Sequence, residues 1–281
     1  MKIIYSIFIS LLLATTLAAQ EWQELKSEHF MLYFLSDENK EFSRGVLNKA
    51  EKDYNRIASD LGYSRNSNFW TWDNRVKIFV YPDHETYLKE SGQPEWSEGM
   101  ADYKNKSILS YSGSSNFLVS VLPHEMTHLI FRDFIGIRRK VPLWLDEGIA
   151  QWEEEAKRQI IKKTSKACFS KGTLFSIKDL MELDIHLIDK SNKIHLRGTS
   201  LGGEGGFLII DGKSLVDIYY IESASLVGFL IERHGTENFT EFCRQLRDGR
   251  DLEGALSAAY PAQIHNIQEL EAQWIEYLKE E

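Results

Sequence analysis

Leu122-Pro123-His124-Glu125-Met126-Thr127-His128-Leu129 and, a little further on, Pro142-Leu143-Trp144-Leu145-Asp146-Glu147-Gly148-Ile149-Ala150-Gln151-Trp152 are the stretch on which the fold reading turns. The first part contains His-Glu-x-x-His. Positions four apart share one face of a helix, so His124 and His128 present two imidazoles to one point. That arrangement suits Zn²⁺, which takes imidazole and carboxylate ligands at about 2.0–2.2 Å. Glu125 lies one residue round from the first imidazole, in reach of a water at the metal without being a ligand. Glu147 follows His128 after eighteen residues, just inside a second helix that Pro142 opens. It is the candidate third ligand, because catalytic zinc needs three protein ligands and an open position. Gly148 then lets the second helix approach the first closely. The competing reading makes Glu147 one more acid in an acidic stretch with Asp146, Glu153, Glu154 and Glu155. Asp146, Gln151 and Glu154 are near enough in sequence to orient the ligand imidazoles through their second nitrogens.

The combination of His124-Glu125-x-x-His128, eighteen residues, and Glu147-Gly148-x-Ala150 resembles the gluzincin metallopeptidases. The wording Pro142-x-Trp144-Leu145-x-Glu147-Gly148-x-Ala150 is most similar to the bacterial peptidase-MA-like families. The resemblance runs from about residue 75 to the C-terminus. It implies an α+β, zincin-like fold: a mixed-sheet lobe, then a mainly helical lobe, with one Zn²⁺ between them. It also implies that an edge strand ahead of the zinc helix holds the substrate backbone, and Ser107–Tyr111 is the candidate. An unpaired strand edge accepts an extended peptide by hydrogen-bond addition. Zinc aminopeptidases place a Gly-x-Met-Glu-Asn motif about this far before the helix, its Glu holding the substrate's amine. This chain has Gly99-Met100-Ala101-Asp102 there, so the Glu is missing and Asp102 is the nearest acid. The same enzymes carry a Tyr near the start of a later apolar helix, and it falls on Tyr220. A phenol beside the metal can donate to the carbonyl oxygen as it gains charge. Tyr219 is the competing choice, and a core tyrosine is the bland one.

Residues 1–19 read as a secretory signal peptide. Lys2 is followed by an apolar run from Ile3 to Leu13, then small residues before Gln20. The run is shorter than the roughly 20 residues a membrane span needs, and no other stretch suits one. No Cys follows for a lipid anchor. The expectation is an exported protein, periplasmic or extracellular, without stable membrane insertion after processing. The chain has 33 basic and 42 acidic residues, net −9. An acidic surface argues against nucleic acid and anionic lipid as partners. Export allows a disulfide between the two cysteines, Cys168 and Cys243, and two free thiols are the alternative.

The rest reads in order. Two strands (about 22–35 and 76–81) flank a helix over 38–61, and Asp83 caps a short helix. Residues 99–112 form two strands about a turn. The active-site helix runs over about 115–134, with Pro123 either kinking it or marking a new start. Residues 155–170 continue the second zinc helix. Residues 198–212 are glycine-rich without the Lys-Ser/Thr of a phosphate loop, and suit a flap or irregular hairpin. His186 and His195 are read as surface residues. From 217 onward the pattern is helical. The portions expected are thus a signal peptide (1–19), an N-terminal α/β part (20–112), and the zinc helices with a C-terminal helical part (113–281). The expected activity is hydrolysis of a peptide or protein substrate, with Glu125 as general base. An aminopeptidase, or a zinc-containing binding module, stands as the alternative.

Overall fold

The computed structural model describes residues 22–35, 40–63, 70–201 and 205–280. The proposed signal peptide lies outside them. Alternating apolar residues build a five-stranded mixed sheet. Its strands are β1 (Gln23–Lys26), β2 (Phe30–Phe34), β3 (Val76–Tyr81), β4 (Gly99–Asp102) and β5 (Ser107–Tyr111). Phe30, Leu32 and Phe34 of β2 and Val76, Ile78 and Val80 of β3 alternate inward, as a half-buried pleat requires. The spatial order is β1-β2-β3-β5-β4. β2, β3 and β5 are parallel, while β1 and β4 run antiparallel to their neighbours. Helix α1 (Lys40–Asp60) makes the crossover between β2 and β3. Its stripe of Val46, Ala50, Tyr54 and Ile57 is buried. Helix α2 (His84–Ser91) starts where Asp83 accepts the Thr86 N–H at 2.8 Å, and Gly92 ends it at φ +68°.

This topology corrects one expectation. Ser107–Tyr111 is not the edge strand: β5 lies between β3 and β4, with Ile108 wholly buried. The edge is β4, whose four residues are all only half-buried. The more apolar strand goes inside, and the short one that folds back over it is left at the rim.

The remaining chain is mostly helical. A π-helical turn over Phe117–Val121 leads into α3 (Leu122–Ile135). Pro123 therefore falls in the first turn of α3, where its missing N–H costs no helical hydrogen bond. Then come α4 (Leu143–Trp152), α5 (Arg158–Ser170) and α6 (Ile177–Glu182). A 3₁₀ turn over Glu155–Lys157 separates α4 from α5, so the second zinc helix does not continue as one rod. The glycine-rich segment forms a separate hairpin of β6 (Lys193–Thr199) and β7 (Gly205–Asp211). Helix α7 (Gly212–His234) crosses α4, and α8 (Thr236–Arg247), α9 (Leu252–Ala259) and α10 (Ile267–Lys279) complete the fold. Both cysteines are free thiols, Cys243 buried and Cys168 half-buried. One apolar cluster runs without a break from Phe30 to Leu278, and α3 packs on both β4 and α4 within it.

The glycine expectation is corrected as well. A Cβ on Gly148 would meet the Ser223 carbonyl oxygen at 2.5 Å and Val227 at 2.9 Å. The close approach that Gly148 permits is therefore to α7, not to α3. Gly228 on α7 reciprocates by leaving room for the Trp152 ring. The Leu145, Ile149 and Trp152 side chains are buried around this crossing.

Candidate metal centre

The helical spacing on α3 aims His124 and His128 the same way, and α4 brings Glu147 against them. The two Nε2 atoms are 3.2 Å apart. Glu147 Oε2 is 3.7 Å from His124 Nε2 and 3.8 Å from His128 Nε2. Donors bound at about 2.0–2.1 Å in a tetrahedral set stand roughly 3.3–3.4 Å from one another. The three atoms have close to that spacing, and together they form a group able to hold a metal ion.

The second nitrogens fix which atoms of the two rings face the gap between them. His124 Nδ1–H donates to Glu154 Oε1 at 3.0 Å, and His128 Nδ1–H donates to Asp146 Oδ1 at 3.1 Å. An ionised carboxylate only accepts, so each ring, when neutral, carries its proton on Nδ1 and leaves the Nε2 lone pair for a metal. Two lone pairs and a carboxylate oxygen facing one another repel unless a cation stands among them. The surplus of negative charge has a second sign. Burial pushes the His128 pKa down, but Asp146 and Glu147 outweigh it and lift it to about 10. The pocket calls for positive charge, and the donor set fits Zn²⁺ with an open fourth position.

The two orienting carboxylates are themselves held. Arg132, one turn beyond His128, donates to Asp146 through Nε at 3.1 Å and through its Nη2. Glu154 accepts from the Ser120 hydroxyl and pairs with Lys157 at 2.6 Å. Burial raises both carboxylates, yet for Asp146 the His128 and Arg132 partners prevail, and for Glu154 the His124 and Lys157 partners do. Both end below their ordinary values and stay ionised. Gln151, the third sequence candidate, bonds to neither ring.

Glu125 is half-buried against β4, with its Cγ 3.7 Å from where a Gly99 Cβ would stand. Burial raises its pKa against the pull of the two imidazoles. That suits a carboxylate that takes up and returns a proton. Tyr220 is half-buried on α7, and its hydroxyl is raised by burial and then by the charges of Glu147 and Glu125. It lines a cleft of about 480 Å³ with Trp96, Ile185, Ile188, Lys190 and Val216, whereas Tyr219 is wholly buried.

The amine-binding role of Asp102 is not met. Asp102 is spent on its own turn: it accepts the Lys104 and Asn105 N–H groups at 2.9 and 3.0 Å and the Asn105 side chain at 2.7 Å. His186 and His195 lie exposed and join no metal cluster among the described residues. Sequence reasoning missed Tyr103 and Arg132. Tyr103 sets its ring edge-on to His128, centroids 6.5 Å apart, with the Arg132 guanidinium 5.8 Å from its centre. The i+4 spacing from His128 was the signal for Arg132; for Tyr103 there was none beyond its place after β4. No family model matches the chain, and no curated protein matches it. The arrangement of these side chains is therefore what carries a function.

Proposed function

We propose that this chain is an exported, zinc-dependent peptidase of gluzincin type on a zincin-like α+β fold, with His124, His128 and Glu147 as metal ligands. The observation that carries the reading is the convergence of the three donors His124, His128 and Glu147 with Glu125 alongside. A structural zinc site has no use for an adjacent base and favours a fourth protein ligand. The same two-imidazole, one-carboxylate set can hold Fe²⁺, and Glu125 is what favours hydrolysis over oxygen chemistry.

Zn²⁺ bound there supplies a Lewis acid and lowers the pKa of a water toward about 7. Glu125 accepts a proton from the attacking water and delivers it to the leaving amine. The Tyr220 phenol donates to the carbonyl oxygen as charge develops on it. The outer edge of β4 packs on α3, the Ala101 N–H donates to Glu125, and the remaining backbone groups of the edge are offered to an extended peptide. Asp146 and Glu154 hold the imidazoles in the tautomer that leaves Nε2 free. The aminopeptidase alternative loses its amine-binding acid, because Asp102 is occupied.

The test uses protein beginning at Gln20, loaded with zinc, on a diverse peptide library read by mass spectrometry. Cleavage is expected, lost on chelation and reduced by about 10²–10⁴ in Glu125→Gln with metal content unchanged. A zinc-loaded protein that cuts nothing, or a Glu125→Gln variant that cuts as well as the parent, overturns the reading.

A further inference from the structure

The cleft beside Tyr220 has walls of unequal character. Trp96, Ile185, Ile188, Val216 and Tyr220 give it an apolar lining. Lys190 is the one Lys or Arg among the residues that line it. Its ammonium stands 3.4 Å from the centre of the Trp96 ring and makes no ion pair among the described residues. The acid next to it is not free to serve. Asp189 accepts from the Ser191 N–H at 2.9 Å, the Ser191 hydroxyl at 2.6 Å and the Asn192 side chain at 2.7 Å. Removal from water lowers the Lys190 pKa, with Asp217 as the only opposing charge.

The position of this lysine is built rather than incidental. The Gly212 N–H donates to the Asn192 carbonyl at 2.8 Å, which ties the loop to the start of α7. A Cβ on Gly212 would stand 3.0 Å from Lys190 Cα and collide with the Asp189 carbonyl. The loop therefore lies flush against the helix that carries Tyr220. A half-buried cation held over an aromatic ring, with no carboxylate in ion-pair contact among the described residues, is a ready partner for an anion entering the cleft.

We propose that this cleft binds the free C-terminal carboxylate of a peptide that ends in an apolar residue, with Lys190 as the residue that recognises it. The apolar lining takes the last side chain, and Lys190 takes the carboxylate. An internal Glu or Asp side chain offers the same carboxylate but would leave the apolar walls unfilled. The inference rests on the peptidase reading and narrows it to substrates held by their C-terminal end.

The test measures binding, so that it does not depend on turnover. Zinc-loaded Glu125→Gln protein is titrated with three N-acetylated peptides: one ending in a free-acid Phe, its C-terminal amide, and an amide with an internal Glu. Trp fluorescence and calorimetry give the affinities. The free acid is expected to bind at least about tenfold tighter than its amide, and Lys190→Met to bring the acid down to the amide's affinity. Equal binding of acid and amide overturns the inference and leaves the peptidase reading to the library test. Tighter binding of the internal-Glu amide than of the free acid overturns it in favour of an acidic side chain. An acid preference that persists in Lys190→Met overturns the role of Lys190.

Discussion

His128 and His124 differ in how their Nδ1 atoms are anchored, and the difference is measurable. His128 leans on Asp146, which Arg132 holds from the far side; His124 leans on Glu154, which Ser120 and Lys157 hold. Removing an orienting carboxylate frees the ring to turn and lets the proton move to Nε2, where it blocks the metal. Asp146→Asn and Glu154→Gln are each expected to weaken zinc binding about 10–100-fold, measured by competition with a chelator of known affinity. Unchanged affinity in both would mean that Glu147 and the backbone alone fix the site. The candidate ligands His124 and His128 were legible in the sequence, because a motif on one helix face has only local geometry to satisfy. Glu154 was only one of three candidates, since choosing it requires knowing that the chain breaks into a 3₁₀ turn after α4.

At the scale of elements, the site depends on α4 lying close to α7, which brings the Glu147 charge near Tyr220. Gly148 and Gly228 permit that contact from opposite sides. Gly148→Ala puts a methyl into the Ser223 carbonyl, and the backbone there cannot rotate away. A loss of about 1–3 kcal/mol in urea unfolding is expected, against a helix-propensity gain of at most about 1 kcal/mol. Gly45→Ala on α1 is the control: nothing stands within 4 Å of its Cβ, so it is expected to be neutral or slightly stabilising. Equal behaviour of the two variants would refute the tight crossing. The sequence marked Gly148 as a close-approach residue but gave it the wrong partner, since helical periodicity says which face is bare and not which helix meets it.

For the molecule as a whole, the single core makes its stability sensitive to a group far from any solvent. Glu222 on α7 is wholly buried, accepts the Phe175 N–H through one oxygen and has no partner for the other among the described residues. Burial without a cation raises its pKa well above 4.5, so the folded protein keeps it protonated. The folded state then holds a proton that the unfolded chain releases. Its contribution is complete below about pH 4.5 and is lost as pH climbs from there toward the raised value. Glu222→Gln mimics the protonated form. It is expected to match the parent in Tm at pH 5 and exceed it at pH 8, by calorimetry on both. A parent Tm that does not fall relative to the variant over this range would contradict the buried neutral acid.

The sequence by itself determined most of the helices and strands and singled out His124, His128, Glu147 and Glu125 as candidates. Each of these follows from local spacing: period two for the strands, 3.6 for the helices, and four residues between imidazoles. Only the tertiary structure decided that β4 rather than β5 is the sheet edge, that Asp102 closes its own turn, and that Tyr220 rather than Tyr219 faces the cleft. It alone brought Lys190 and Trp96 together from opposite walls. Those outcomes depend on which surfaces the shared core leaves uncovered, and that is settled by packing among residues far apart in the chain.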